Sequence, residues 1–524
     1  MRLIARRDRV LLPLWVILLS VVPLSLINAA KKAYPTAADL RQVYEGPAHS
    51  AAYVALYGPD SGPSLGALGF QRSGLFMVVI ALASLLTVIR HTRTEEEAGR
   101  KELLAAAPLG RQASVTAALA VTVLGNVVLA VILIGGLHGG LKLPGSGSVA
   151  FGLAQAMAGC IFAAVGALAA QIFVSARTAR GVSIGVLAVA YVLRMIGDSA
   201  GNGSGMTWLS WVSPIGWMER VRPFSGERWG VFLPALGLLA LLTAATYAVS
   251  ALRDIGAGLV EDRPGPVEAV PALRSPLALA RRMHQGLLLA WAVGFALVGA
   301  ALGGLAKSIE SAANVSQDTK DILTRIGGHA ALGDTYLAAV TSVAGLVAAA
   351  YATQTISRLR SEETDGRVEP ILATPVTRLR WVASHMTFTL IGPAVLLVCY
   401  GLGAGIAYGA SSGDMGKLPR VLGGAVAELP AVWVIAAMTL LIFGLLPRFA
   451  MMGWAVLVLC LFFGQFGQAF NLNQAVLDIS PFTHIPRLPG GPFTATALVV
   501  LVVIAAVLAA IGLAGFRRRD IPVG

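Results

Sequence analysis

Apolar runs close to the roughly 20 residues that cross a bilayer alternate with short polar stretches from one end of the chain to the other. They fall at about 10–30, 74–89, 113–137, 149–174, a fifth run ending near 196, and 231–252. A second set follows at 286–305, 335–356, 381–408, 429–446, 451–466 and 493–515. The pattern predicts about 12 transmembrane helices. Arg2, Arg6, Arg7 and Arg9 precede the first run, and Asn28-Ala29-Ala30 is a weak cleavage site. The first run therefore reads as an uncleaved span with a cytoplasmic N-terminus rather than a signal peptide. The polar stretch 31–73 then lies outside, and the second run returns the chain to the cytoplasm.

Composition agrees with the pattern. Of 524 residues, 56% are hydrophobic and 13% charged, with a mean hydropathy of +0.74. A soluble chain carries about 25% charged residues, so an all-α polytopic membrane protein is expected. The net charge of +13 suggests nucleic acid at first sight. The cations sit beside spans, however, where the positive-inside rule explains them. Arg177, Arg180 and the closing Arg517-Arg518-Arg519 then lie in the cytoplasm. The location predicted is a bacterial inner membrane, with both termini cytoplasmic. Cys160, Cys399 and Cys460 fall inside apolar runs without CxxC spacing, and the seven histidines form no ligand set. Neither a disulfide framework nor a metal site is predicted.

One charged stretch occurs twice. Glu95, Glu96, Gly99, Arg100, Glu102, Pro108 and Arg111 reappear as Glu362, Glu363, Gly366, Arg367, Glu369, Pro375 and Arg378, each 267 residues later. Ser213-Pro214 returns as Ser480-Pro481 with the same offset. A gapless repeat of this length marks a duplicated unit. The expected organisation is a first six-span repeat at 1–252, a cytoplasmic linker at 253–285 rich in Pro, Arg and Glu, and a second six-span repeat at 286–524. Six is even, so both repeats enter and leave on the same side and are parallel. Each charged stretch then lies in the cytoplasm between the second and third spans of its repeat.

Each stretch reads as a short amphipathic helix, a handle on the cytoplasmic surface. Glu96 and Arg100, like Glu363 and Arg367, are four apart in the favourable order for an i,i+4 pair. Acidic residues gather near the helix start, where the dipole is positive. Leu103-Leu104 adds an apolar patch and Pro108 closes the first copy. Pro370 stands where the first copy has Leu103. It lacks the N–H a helix interior needs, so the second helix is expected to break there.

The pattern E-E-x-x-G-R-x-E, followed by Pro and Arg between a second and a third span, resembles the cytoplasmic coupling region of type-2 ABC exporter permeases. The later Ser-Pro element is similar to one near the last span of such permease domains. Two copies in one chain resemble the fused actinobacterial permeases of the tetronasin and polyketide-antibiotic exporter type. The resemblance implies export of an amphipathic small molecule, driven by ATP hydrolysis on two copies of a separate cytoplasmic ATP-binding cassette subunit. In that family the handles dock in clefts of those subunits, which places Glu95, Glu96, Glu362 and Glu363 towards the interface. ATP and Mg are then bound by the partner. The chain itself has no GxxxxGK[ST] loop. Its nearest string, Gly303-Gly304-Leu305-Ala306-Lys307-Ser308, lacks the glycine before lysine and ends a span.

Polar residues inside spans are the candidates for the transport path: Asn126, Gln155 and Gln171 in the first repeat, Gln354, Gln465 and Gln468 in the second. Interhelical hydrogen bonding is their plainer role. Arg194 pairs with Asp198, four residues on, or snorkels to the headgroups. Trp208, Trp211 and Trp217 suit an interfacial belt. A secondary transporter driven by an ion gradient normally needs a carboxylate near mid-membrane. Glu428 reads as the end of a span, which argues against that class. Nothing in the sequence assembles a catalytic constellation.

Overall fold

The computed structural model describes residues 1–45, 51–59, 61–105, 110–199, 206–254, 256–260, 268, 273–313, 332–466, 473 and 478–519. The chain is an all-α polytopic membrane protein. Among the described residues there is no strand, and eleven helical segments are long and apolar enough to cross a membrane. Contacts divide the chain into two units, Met1–Gly265 and Pro266–Gly524.

In the first unit, α1 (Arg2–Arg7) leads into α2 (Leu11–Ala33), and α3 (Gly74–His91) follows after short helices. The charged stretch forms α4 (Arg93–Glu97) and α5 (Arg100–Ala105). Then come α6 (Ala113–Ile134), α7 (Gly145–Ile172), α8 (Ala176–Ser199), the short α9 (Pro214–Glu219) and α10 (Phe232–Leu252). Helix α7 is the centre of the unit and packs on α3, α6, α8 and α10. Its composition explains this. Alanine and glycine recur along it, and small residues let neighbouring backbones approach. A Cβ on Gly166 would stand 2.9 Å from the Leu85 carbonyl of α3, and one on Gly159 would overlap Asn126 of α6. Phe70, Met77, Phe151, Phe162 and Met218 complete the core.

The second unit holds α11 (Pro276–Ala313), α12 (Leu332–Thr364), α13 (Val368–Leu372), α14 (Arg378–Ser412), α15 (Lys417–Ala427), α16 (Leu429–Leu445), α17 (Met452–Phe466) and α18 (Ala495–Arg518). Its core is more aromatic, with Tyr351, Trp381, Tyr400, Phe443 and Phe516 all buried. Three boundaries depart from the apolar runs. Helix α11 starts ten residues before the predicted span, because Ser275 caps it by accepting from Ala278 N–H at 3.2 Å and Pro276 suits a first helical position. Hydropathy sees only the polar Arg281, Arg282 and His284. Helix α12 likewise runs on through the charged residues to Thr364. The predicted run at 451–466 forms α17, which is fifteen residues long, and the residues just after it lie outside the described ones.

The third departure corrects the reading of Glu428. It does not end a span. Only this residue separates α15 from α16, and the two form one apolar segment, Lys417–Leu445. Pro430, near the start of α16, mimics a helix beginning in the sequence because its ring disrupts the preceding turn. The corresponding span of the first unit, α7, is unbroken and carries no acidic residue.

Candidate functional site

The two handles are built alike, and neither is a single helix. In the first, α4 ends at Glu97 and α5 begins at Arg100, with Gly99 between them at φ +68°. In the second, Gly366 adopts φ +68° between α12 and α13. Glycine takes this left-handed conformation without steric cost, which accounts for the residue at this step of both copies. The reversal also changes the expected ion pairs. Arg100 does not reach Glu96. It donates to Glu95 at 2.8 and 3.1 Å, and Arg367 donates to Glu362 at 2.9 and 3.3 Å. The i,i+4 pairs Glu96–Arg100 and Glu363–Arg367 are absent because no continuous helix carries them. Pro370 does not break the second helix either. It occupies the first turn of α13, after the cap at Arg367, where an N–H has no intrahelical partner in any case.

The second glutamate of each handle points inward. Glu96 has a side-chain exposure of 3% and accepts from Arg253 Nη1 and Nη2 at 2.8 and 2.9 Å. The backbone N–H of Gly256 adds a bond at 2.7 Å. Arg93 and Lys101 stand 3.4 Å away. Arg253 is the principal counter-charge because it holds Glu96 at 2.8 and 2.9 Å against 3.4 Å for Lys101, whose ammonium burial holds below its ordinary value. Glu363 is buried completely and accepts from Arg519 Nη2 at 2.5 Å, with Arg360 at 3.4 Å. Arg253 and Arg519 occupy equivalent places: each is the first residue after the last span of its unit, α10 or α18. A third arginine closes each arrangement. Arg111, before α6, donates to the carbonyl of Arg253, and Arg378, at the start of α14, donates to that of Arg519 at 2.8 Å.

Each unit thus ties its handle to the C-terminal end of its last span through a buried Glu–Arg clamp, and ties that clamp to its third span. Burial turns Glu96 and Glu363 away from any outside partner. Among the residues each handle leaves exposed are Glu97, Arg100 and Glu102 in one and Asp365, Arg367 and Glu369 in the other, followed by exposed Pro375 and Arg378. Pro108 lies outside the described residues. Glu97 accepts from the backbone N–H of Ala176 at 2.6 Å, fastening α4 to the first residue of α8. A cavity flanks each handle. One of about 560 Å³ is lined by Ile4, Arg7, His91, Glu95, Lys101 and Arg111. The other, of about 340 Å³, is lined by His284, Gln354, Arg358, Glu362 and Arg367 among others.

Reasoning from the sequence missed Arg253 and Arg519. A signal was present: Arg253-Asp254-Ile255 returns as Arg519-Asp520-Ile521, at an offset of 266 rather than 267, so a fixed-offset comparison passes over it. The polar span residues mostly have structural partners. Gln171 accepts from Arg253 Nε at 2.9 Å and belongs to the clamp. Asn126 donates to Ser84 Oγ and to the Thr122 carbonyl, both at 3.0 Å, linking α6 to α3. Gln155 of α7 donates to the Ser73 carbonyl before α3 at 3.3 Å. Gln354 is exposed and lines the second cavity. Gln468 and the side chain of Gln465 lie outside the described residues. Arg194 neither snorkels nor pairs with Asp198. It is buried, 3.4 Å from Glu219 and donating to the Val54 and Leu56 carbonyls at 3.1 and 3.3 Å. Asp198 pairs with Arg220 at 3.1 Å instead.

The comparisons with known proteins fit an efflux permease. The family described as multidrug efflux system permease Rv1217c, C-terminal domain, matches residues 6–253 and 273–517. The multidrug efflux system permease protein Rv1217c of Mycobacterium tuberculosis (strain ATCC 25618 / H37Rv) is 45% identical over 524 residues, which cover 99% of this chain and 94% of that protein. The chain belongs to the family of Rv1217c-like multidrug efflux system permeases.

Proposed function

We propose that this chain is the membrane-spanning permease subunit of an ATP-driven exporter in the inner membrane, moving amphipathic, drug-like compounds out of the cell. The observation that carries this reading is the duplicated clamp. In each unit, a charged step after the second span is fixed to the third and last spans by buried ionic bonds. A force applied to the exposed face of the handle therefore reaches two spans without an intervening flexible joint. Such an arrangement suits a motor that is separate from the path. The motor is two copies of a cytoplasmic ATP-binding cassette subunit, one per handle, which bind ATP and Mg. Both termini are cytoplasmic in this topology, and the two units are parallel repeats. The cavities flanking the handles give each docking segment room to move.

The test is reconstitution. Purified alone, the chain is expected to hydrolyse no ATP. Co-expressed with a cassette subunit encoded beside it, it is expected to form a complex of one permease with two ATPase subunits, and hydrolysis is expected to rise with an exported drug. A stable complex containing a single ATPase, or efflux that persists with a hydrolysis-dead cassette subunit, would refute this reading.

A further inference from the structure

The two units differ most sharply at one place. The fourth span of the first unit, α7, carries no acidic residue. The fourth span of the second unit carries Glu428, between α15 and α16. The 267-residue register holds at Arg111/Arg378 and at Ser213/Ser480, and between them α7 and α15–α16 occupy the same place in the order of spans. Glu428 is 5% exposed, and its Oε2 has no hydrogen-bond partner among the described residues. An unpaired carboxylate within a membrane span is costly and marks a functional position unless a partner offsets it.

The surroundings have changed with it. Val78 of α3 corresponds to Gly345 of α12, and a Cβ on Gly345 would stand 2.7 Å from Glu428 Oε2. The space that a valine side chain takes in one unit is left to the carboxylate in the other. Leu133 corresponds to Tyr400, which is buried beside this carboxylate and receives a 3.5 Å hydrogen bond from Thr341. From Tyr400 a run of aromatic rings leads outward. Phe295 lies 6.5 Å from it, edge to face, and half-buried Trp291 lies 6.0 Å from Phe295. Aromatic faces attract cations, and binding sites at mid-membrane depth favour interrupted helices such as α15–α16.

We infer that Glu428, reached along Trp291, Phe295 and Tyr400, is an intramembrane site of the second unit that takes the cationic group of amphipathic compounds. The site refines the efflux reading by naming a substrate class, protonated amines and quaternary or phosphonium cations. The first unit, with Val78 and Leu133 and no acid on α7, has no counterpart among its described residues. The carboxylate supplies the charge, the rings supply an apolar lining that tolerates charge, and Gly345 leaves the carboxylate its room.

The decisive measurement uses the purified chain alone in detergent and so does not depend on any ATPase partner. Tetraphenylphosphonium, a permanently charged lipophilic cation, is expected to bind saturably, and Nile red serves as the neutral probe. Glu428→Gln is expected to weaken tetraphenylphosphonium binding roughly ten- to a hundredfold, the value of one charge-assisted interaction, and to leave Nile red binding unchanged. Glu428→Asp is expected to recover most of the affinity. On the unaltered chain, tetraphenylphosphonium is expected to protect Glu428 from modification by a hydrophobic carbodiimide, read by mass spectrometry. This second measurement holds even if a variant folds poorly. Unchanged cation binding in Glu428→Gln, equal loss of both probes, or no protection of Glu428 would each overturn the inference. In cells, Glu428→Gln is expected to retain cationic dyes and still expel neutral ones. If the unaltered chain expels neither, the efflux reading fails, and the binding data still decide the site.

Discussion

Replacing Arg253 or Arg519 with methionine removes the guanidinium of one clamp and keeps most of the side-chain volume. Removing one partner of a buried ion pair costs about 3–5 kcal/mol, because the other charge stays buried. The two sites are expected to fall at opposite ends of that range. Without Arg253, Glu96 keeps the Gly256 N–H at 2.7 Å, with Lys101 and Arg93 each at 3.4 Å. Its loss is therefore set near about 3 kcal/mol. Without Arg519, Glu363 keeps Arg360 at 3.4 Å, and the Phe443 and Phe516 rings lose the cation stacked 4.7 and 4.9 Å from them. That loss is set near about 5 kcal/mol. Native proteins are stable by about 5–15 kcal/mol, so Arg253→Met should insert and fold with a lowered melting temperature, and Arg519→Met should be the more damaged. The assay compares purified variants by thermal unfolding, and cells of matched membrane abundance by retention of a fluorescent drug. A double-mutant cycle with Glu96→Gln isolates the pair, with a coupling energy expected at the upper end of about 0.5–3 kcal/mol. Melting and export at the unaltered level in both arginine variants, or strict additivity in the cycle, would refute the clamp as a mechanical link.

Other outcomes follow from the same geometry. Gly99→Ala and Gly366→Ala meet open space but retain φ +68°. Each should cost about 1–2 kcal/mol of backbone strain, and Asn should be tolerated better than Ala at both, as read by thermal unfolding. Asn126→Val removes an interhelical hydrogen bond worth about 0.6 kcal/mol, and drug export should be unchanged if Asn126 only joins α6 to α3. Gly166→Val drives a side chain into the Leu85 carbonyl, 2.9 Å from its Cβ position, and should abolish detergent-stable folding, scored by size-exclusion chromatography. In a chain without its native cysteines, single cysteines at exposed Glu102 and Glu369 should label only from the cytoplasmic side and one at Trp208 only from outside; outside labelling of either handle would end the proposed topology.

The apolar runs, the charged repeat and the Ser-Pro element were all legible along the chain, because each depends on residues near one another in sequence. Bilayer thickness sets the length of a span, and a gapless offset reveals a duplication without any knowledge of contacts. That is why the helices and the place of each handle could be read directly. The composition of a handle also singled out its charged residues, but their pairings were misread. A helix rule joins Glu96 to Arg100 only while the backbone stays helical, and Gly99 at φ +68° ends that condition. Glu96 instead meets Arg253, 157 residues away, and Glu363 meets Arg519, 156 residues away. Such pairs are fixed by which spans pack side by side, and the periodicity of a span is silent on its neighbours. The same limit hid Glu428. A proline and an acid read as a boundary in one dimension, whereas packing of α15 and α16 against α12 and α14 encloses them within a span. The sequence by itself determined the spans, the repeat and the charges at the handle. Tertiary structure alone decided which of those charges are buried, what each one faces, and where the second unit ceases to be a copy of the first, because burial and partner choice are properties of packed helices and not of any one of them.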